Sequence, residues 1–207
     1  MKRYLLDVSL VKNELLINKL IRKPENDTPN ELSRMEWQLH HADEDVFMGD
    51  LHAIAIYRPS MENIEKYEGG VAYYEGEDLI DKIMLLLHSA KLGNHKFAGW
   101  GIKTFTIPVL FRALLMAGQD VEILFDIMDT YPFDTIKTID LYNEFNFNGQ
   151  MSTVRARNRY SLQETCLAYG LESDYEKIKE RGNSEEILRE RLRLQKYLFE
   201  LRGFSWE

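Results

Sequence analysis

A stretch of alternating β-type residues, Leu51-His-Ala-Ile-Ala-Ile-Tyr57, has a ready antiparallel partner in Gly70-Val-Ala-Tyr-Tyr74, and the chain turns helical soon after this pair. Alternation with period 2 suits half-buried strands, so these two segments predict a hairpin. From Asp78 to Ala90 the period changes: Leu79, Ile80, Ile83, Met84 and Leu87 fall on one face of a helix, with Glu77 or Asp78 near its start. A short strand around Phe97 to Trp100 comes next, then a helix opened by Pro108, whose missing N–H would have gone unpaired in the first turn anyway. A hairpin followed by alternating helices and strands predicts a mixed β-sheet flanked by helices, the α/β class.

Other elements join this frame. Tyr4-Leu-Leu-Asp-Val8 reads as a short buried strand that delivers Asp7 at its end. Asp120 to Leu124 and Thr138 to Leu141 read as further short strands or strand ends. Ser161-Leu-Gln-Glu164 matches a capping box ahead of a helix that stops at Gly170, and Asn183 or Ser184 starts a last helix running to about Arg202. From Ile21 to Asp50 the pattern dissolves: a loop with Pro24 and Pro29 precedes a short helix, LSRMEWQLHHADEDVF. No repeat, low-complexity segment or linker divides the chain, so residues 1–207 are expected to form a single domain.

Composition excludes several classes. The longest apolar run, Ile83 to Leu87, is far short of the roughly 20 residues needed to span a bilayer, and Asp7 interrupts the N-terminal apolar stretch. No membrane span and no secretory signal are expected. Cys166 is the only cysteine, which rules out an intramolecular disulfide and a cysteine-based zinc site and fits a reducing cytoplasm. His40, His41, His52, His88 and His95 show no metal-ligand pairing. The net charge of -8 argues against a protein that grips nucleic acid mainly by its overall charge, although a local basic groove is compatible with an acidic whole.

The stretch Phe97-Ala-Gly-Trp-Gly-Ile-Lys-Thr-Phe-Thr-Ile-Pro-Val-Leu-Phe-Arg-Ala-Leu114, together with TIDLYNEF and SLQETCLAYGLES in that order, resembles the predicted 3'-5' exonucleases related to the proofreading domain of family-B DNA polymerases. The resemblance runs from about Tyr4 to Arg202. It implies the DnaQ-like, ribonuclease-H-like fold, in which four acidic side chains hold two metal ions about 4 Å apart for phosphodiester hydrolysis.

The resemblance also implies where those acids should stand. The first motif, Asp-x-Glu, falls on Asp7-Val8-Ser9, keeping the Asp and replacing the Glu by Ser9. The second, Asn-x-x-x-Phe-Asp, falls on Gly101 to Thr106, keeping Phe105 and placing Thr106 at the ligand position. The third, a Tyr followed four residues on by an Asp, should lie within Leu188 to Lys196, which contains neither residue; Glu190 is the acid there, and Tyr197 lies too far along. Asp7 is thus the one motif acid at its place. Asp140 matches a recurrent family position that is not a ligand and reads as structural.

The resulting expectation is an exonuclease-like, nucleic-acid-binding domain that has lost its two-metal site and needs no cofactor. Two alternatives stand beside it: an active exonuclease using Mg or Mn on Asp7, Glu190 and an unplaced acid, or a scaffold for a protein partner or a second copy. Candidate single-strand contacts are Phe105 and the edge Arg155, Arg157, Arg159 and Tyr160, alternate arginines beside a ring. Each has a plainer reading: Asp7 as a turn or amide acceptor, Phe105, Ile107 and Leu110 as core, and the Arg155 to Arg159 edge as a solvated face. Arg189, Arg191 and Arg193 read as surface charge balanced by Glu185, Glu186 and Glu190, and Phe204, Trp206 and the Trp37 region as exposed aromatics.

Overall fold

The structure, a computed structural model, describes residues 2–15, 49–129, 136–145 and 161–207. The expected helix after Pro29 and the edge from Arg155 to Tyr160 lie outside those residues. Among the described residues five strands form one mixed sheet: β1 (Arg3–Lys12), β2 (Gly49–Tyr57), β3 (Val71–Glu75), β4 (Lys96–Gly99) and β5 (Thr138–Asp140), in the order β3-β2-β1-β4-β5. β2 pairs antiparallel with both β1 and β3, so the hairpin is present, while β4 and β5 extend the sheet in parallel from β1.

β1 is longer than its apolar run suggests. Pairing with β2 continues past Asp7 through a register break between Ser9 and Leu10, so Asp7 sits inside the strand and caps no turn. Alternation then divides the residues between two faces. Tyr4, Leu6, Val8, Ile54, Ile56 and Phe97 join the core beneath α1 (Leu79–Leu92), α2 (Ile107–Met116) and α3 (Glu122–Ile127). Leu5, Ala53, Ala55, Tyr57, Ala98 and Ile139 face the other way.

The short segment expected to be a strand at Asp120 to Leu124 is instead the start of α3. α2 gives way to a left-handed Gly118, the Asp120 carboxylate accepts the Glu122 N–H at 2.9 Å, and Ile123, Leu124 and Ile127 then meet the core on one helical face. β5 runs directly into α4 (Leu141–Phe145).

The second face is closed by α7 (Ser184–Leu201), with α5 (Leu162–Ala168) and α6 (Tyr175–Arg181) packed beside it. The capping box at Ser161 and Glu164 is present in both directions, and Asn183 caps α7 by accepting the Glu185 and Glu186 amides. Leu188, Leu192 and Phe199 of α7 lie on the sheet, whereas Leu194 and Leu198 pack on Leu162 and Cys166 of α5. Phe204 and Trp206 are not a free aromatic patch: both fold back on Phe199, with Trp206 stacked at 4.1 Å and also edge-on to Tyr57 at 5.1 Å. Among the described residues no helix is long and apolar enough to cross a membrane.

Cys166 is fully buried between α5 and α7, and burial pushes its thiol up to about 12. The thiolate is the reactive form, so the folded protein is expected to react with iodoacetamide at pH 8 at least a hundredfold more slowly than an unfolded sample. Mass spectrometry of this sole cysteine checks the expectation; equal rates would mean that α5 does not stay docked.

Candidate functional site

Asp7 is the natural origin of a site because it is a carboxylate on the α7 face of a central strand and is only 1% exposed. A buried carboxylate is costly unless hydrogen bonds and an opposite charge satisfy it. Three groups do so here. The Val8 N–H donates to Oδ1 at 2.8 Å, Gln195 Nε2 donates to Oδ2 at 2.5 Å, and the Arg191 guanidinium reaches Oδ1 at 2.9 Å. Burial raises the Asp7 pKa above the ordinary carboxylate value, against the downward pull of Arg191, the Val8 amide and Gln195.

Gln195 is fully buried and held at both ends of its amide. While Nε2 donates to Asp7, Oε1 accepts the Trp100 N–H at 3.2 Å, so one side chain of α7 ties β1 to the chain leaving β4. Gly99 lets the chain leaving β4 lie close to β1: a Cβ there would lie 2.7 Å from the Leu6 carbonyl oxygen, a separation that backbone cannot accept. Arg191 precedes Gln195 by one helical turn and so arrives at the same carboxylate. It is therefore not one of the surface arginines; its neighbours Arg189 and Arg193 are, pairing with Glu185 and Glu190.

The segment after β4 is shaped by Asp140, at the end of β5. Its carboxylate accepts the Gly101, Lys103 and Tyr142 N–H groups, each at 3.1 Å, and is 2% exposed. Gly101 takes a left-handed conformation, φ 62°, and a turn of π-helix, Ile102–Thr106, leads into α2. Asp140 is thus the bracket that bends the chain. Burial raises its pKa and the backbone amides pull the other way.

That turn fixes Phe105 and Thr106. Phe105 is half-buried against the core under α2, with Ile107 and Leu110 fully inside it. Thr106 is 1% exposed, and its Oγ1 has no hydrogen-bond partner; the same holds for Ser9 Oγ on β1. Buried hydroxyls without partners are uncommon and cost roughly 1–3 kcal/mol each. They occur here at the two positions where the resemblance calls for carboxylates.

Glu190 is held elsewhere. Its carboxylate accepts the Ser173 hydroxyl at 2.7 Å and pairs with Arg193 at 2.6 Å, so it shares no bonding partner with Asp7. Tyr197 donates its hydroxyl to the Tyr169 carbonyl at 2.7 Å. Among the described residues no three His, Cys, Asp or Glu side chains gather in a way that could hold a metal ion. Asp7, with a guanidinium and a donating amide against its two oxygens, is a poor donor for a divalent cation, so the described residues do not fit a two-metal centre.

In the sequence Arg191 reads as surface charge, and Gln195, not being an acid, draws no notice. A signal is nonetheless present: Gln195 interrupts the apolar stripe Leu188, Leu192, Phe199, and a polar side chain in a buried stripe needs a polar partner across the interface.

No protein-family model matches the sequence, and no curated protein matches it. The fold does have a relative among solved structures, the family B DNA polymerase from the hyperthermophilic archaeon Pyrobaculum calidifontis. The match covers 97% of this chain and 24% of the polymerase chain, with a TM-score of 0.55 and 10% identity. The chain therefore spans about a quarter of that polymerase and shares the fold of that part.

Proposed function

We propose that the chain is an exonuclease-like domain of the DnaQ-like, ribonuclease-H-like fold that binds single-stranded nucleic acid and has given up two-metal hydrolysis. The observation that carries this reading is the pairing of Asp7 with Arg191 and Gln195. These two residues are four apart on the last helix, the spacing of the Tyr and Asp in the third motif of the family that the sequence resembles. An aspartate in place of Gln195 would set two carboxylates side by side, an arrangement that metal ions stabilise and that two bare anions resist. An amide there donates to Asp7 instead, and Arg191 supplies the positive charge from within the protein.

Support comes also from Ser9 and Thr106, whose unpartnered buried hydroxyls stand at the first and second motif positions, and from the polymerase that shares the fold. On this reading the fold is kept and the hydrolytic chemistry is lost. Phe105 beside the Asp140-bracketed turn, with Arg155, Arg157, Arg159 and Tyr160, would supply stacking and phosphate contacts.

A fluorescent single-stranded oligonucleotide tests both halves. The expected result is a micromolar complex at low salt, weakening steeply as salt rises, with no change of strand length during hours in manganese. Unchanged mobility at micromolar protein and low salt would remove the binding half. Manganese-dependent shortening that disappears in Asp7→Ala would remove the other and restore an active nuclease with non-standard ligands.

A further inference from the structure

The end of the sheet away from Asp7 carries positive charge that the described residues do not neutralise. Strands β1, β4 and β5 run parallel, so Arg3, Lys96 and Thr138 mark one end of the sheet and the Asp7, Gly99 and Asp140 positions lie toward the other. At the first end a cleft of about 240 Å³ opens, lined by Lys91, Asn94, His95, Lys96, Asp126 and Lys137. Lys91 and Asp126 cancel as an ion pair at 2.5 Å. Lys137 Nζ donates to the Phe125 carbonyl at 3.1 Å, which orients the ammonium, and the Asp126 carboxylate feels the Lys137 charge as well as that of Lys91.

The other cations around the cleft face no acid among the described residues. Lys96 and Lys2 are brought together by the Lys96 N–H to Lys2 carbonyl bond at 3.0 Å, and neither forms an ion pair with a described residue. Arg58 lies over the Tyr4 ring at 5.1 Å, and that ring meets His95 edge-on at 4.7 Å, with the Tyr4 hydroxyl 3.4 Å from His95 Nε2. Arg58 has no acidic partner among the described residues, and its Nε is buried without a hydrogen bond. The His95 ring is pressed against Gly93, where a Cβ would collide with it. Burial first, then the charges of Arg58 and Lys2, lower the His95 pKa, as a net positive field requires.

In a chain of net charge -8, three cations without an acidic partner among the described residues, beside two lysines that share the single carboxylate of Asp126, leave this cleft net positive. Plain structural use accounts for Lys91, for the orientation of Lys137 and for the stacking of Arg58 on Tyr4, and leaves Lys2 and Lys96 unexplained. Clustered like charges repel, and an anion among them would relieve the repulsion and meet donors already in place.

We infer that this cleft binds a phosphate group, held by Lys96 and Lys137 with Asn94 and His95 as neutral polar contacts and with Arg58 and Lys2 supplying the surrounding field. The volume admits one phosphate with bridging waters. A free phosphate and the terminal phosphate of a strand present the same oxygens, so either could fill it. The inference does not depend on the proposed nucleic-acid binding through Phe105 and the Arg155 to Tyr160 edge, because the two sites share no residue.

Titration of the full chain with inorganic phosphate, followed by amide ¹⁵N–¹H spectra, is the test. Saturating shifts are expected at Asn94, His95, Lys96 and Lys137, and none from sodium chloride at equal ionic strength. Lys137→Gln, an outward side chain whose loss spares the core, is expected to weaken phosphate at least fivefold, and Lys96→Glu at least tenfold. Equal shifts from chloride, or unchanged affinity in both variants, would overturn the site. Displacement of phosphate by a 5'-phosphorylated oligonucleotide and not by its 5'-hydroxyl form would assign the site to strand ends. Saturation without such displacement would assign it to a small phosphate.

Discussion

Arg191→Met is expected to destabilise the protein by about 3 kcal/mol, roughly 6 to 12 °C in Tm for a chain of this size, because it leaves a buried carboxylate without its counter-charge. Methionine keeps the length and apolar stem of the arginine, so the loss reports the charge and not a cavity. The pH dependence separates the two further. In the native protein the Asp7 pKa already lies above its ordinary value of 3.8, so folding binds that proton more tightly than the unfolded chain does. Such a group takes away stability as pH rises from the unfolded value through the folded one. Removing Arg191 removes one of the pulls that hold the pKa down, so the window widens upward. The deficit of Arg191→Met should therefore be smaller at pH 4 than at pH 7, because acid moves Asp7 toward its protonated form in both proteins. Denaturant melts at the two values check it, and a deficit independent of pH would refute the ion-pair account. Asp7→Asn combined with Arg191→Met removes both charges and should recover most of the loss.

The same pair shows how far the sequence can be read. The β2–β3 hairpin, α1, the Ser161 capping box and the start of α7 rest on local signals: period 2, period 3.6, and a Ser and Glu three apart. Signals of that kind survive in any surroundings that bury one face. The length of β1 is not local, since its second half is held by pairing with Leu51, Asp50 and Gly49 beyond a bulge. α3 reads as a strand in the sequence because Val, Ile and Leu in a short run suit either element, and the preceding Gly118 turn and the Glu122 N–H to Asp120 hydrogen bond favour the helix.

The site is legible in outline only. Asp7 and Asp140 can be picked out by type, and Ser9 and Thr106 by their departure from the motif. The bond from Asp7 to Gln195 joins residues 188 apart in the chain, and nothing within either neighbourhood announces the other. Glu190 attracts notice as the acid between Leu188 and Lys196 on the last helix, yet its place there turns it to Ser173 and Arg193. A search by residue type looks for carboxylates to surround Asp7, while the fold surrounds it with donors.

Asp140→Ala is expected to be the other severe substitution, and for a different reason. The carboxylate is the common acceptor for the backbone N–H groups of Gly101, Lys103 and Tyr142, with Asn143 beside them, and alanine leaves them without it. At roughly 1–3 kcal/mol for each buried amide stranded, partly offset where water enters, the loss should be about 3 kcal/mol or more. Asp140→Asn fits the same volume and keeps one acceptor oxygen, but its NH₂ then faces a backbone donor, so it should recover no more than half. Because the carboxylate brackets a left-handed Gly101 and a π-turn that the chain does not favour by itself, the damage should be local before it is global. Amide hydrogen exchange at Gly101 and Lys103 should accelerate by at least a hundredfold, while Leu5, Ile54 and Ala55 in the central strands change only as far as global stability falls. If Gly101 and Lys103 stay as protected as those strand amides, the bend is held by the π-turn and α2, and Asp140 is a passenger. If the bend opens as expected, Phe105 and Thr106 move with it, and single-strand affinity measured on the still-folded fraction should fall together with the local protection.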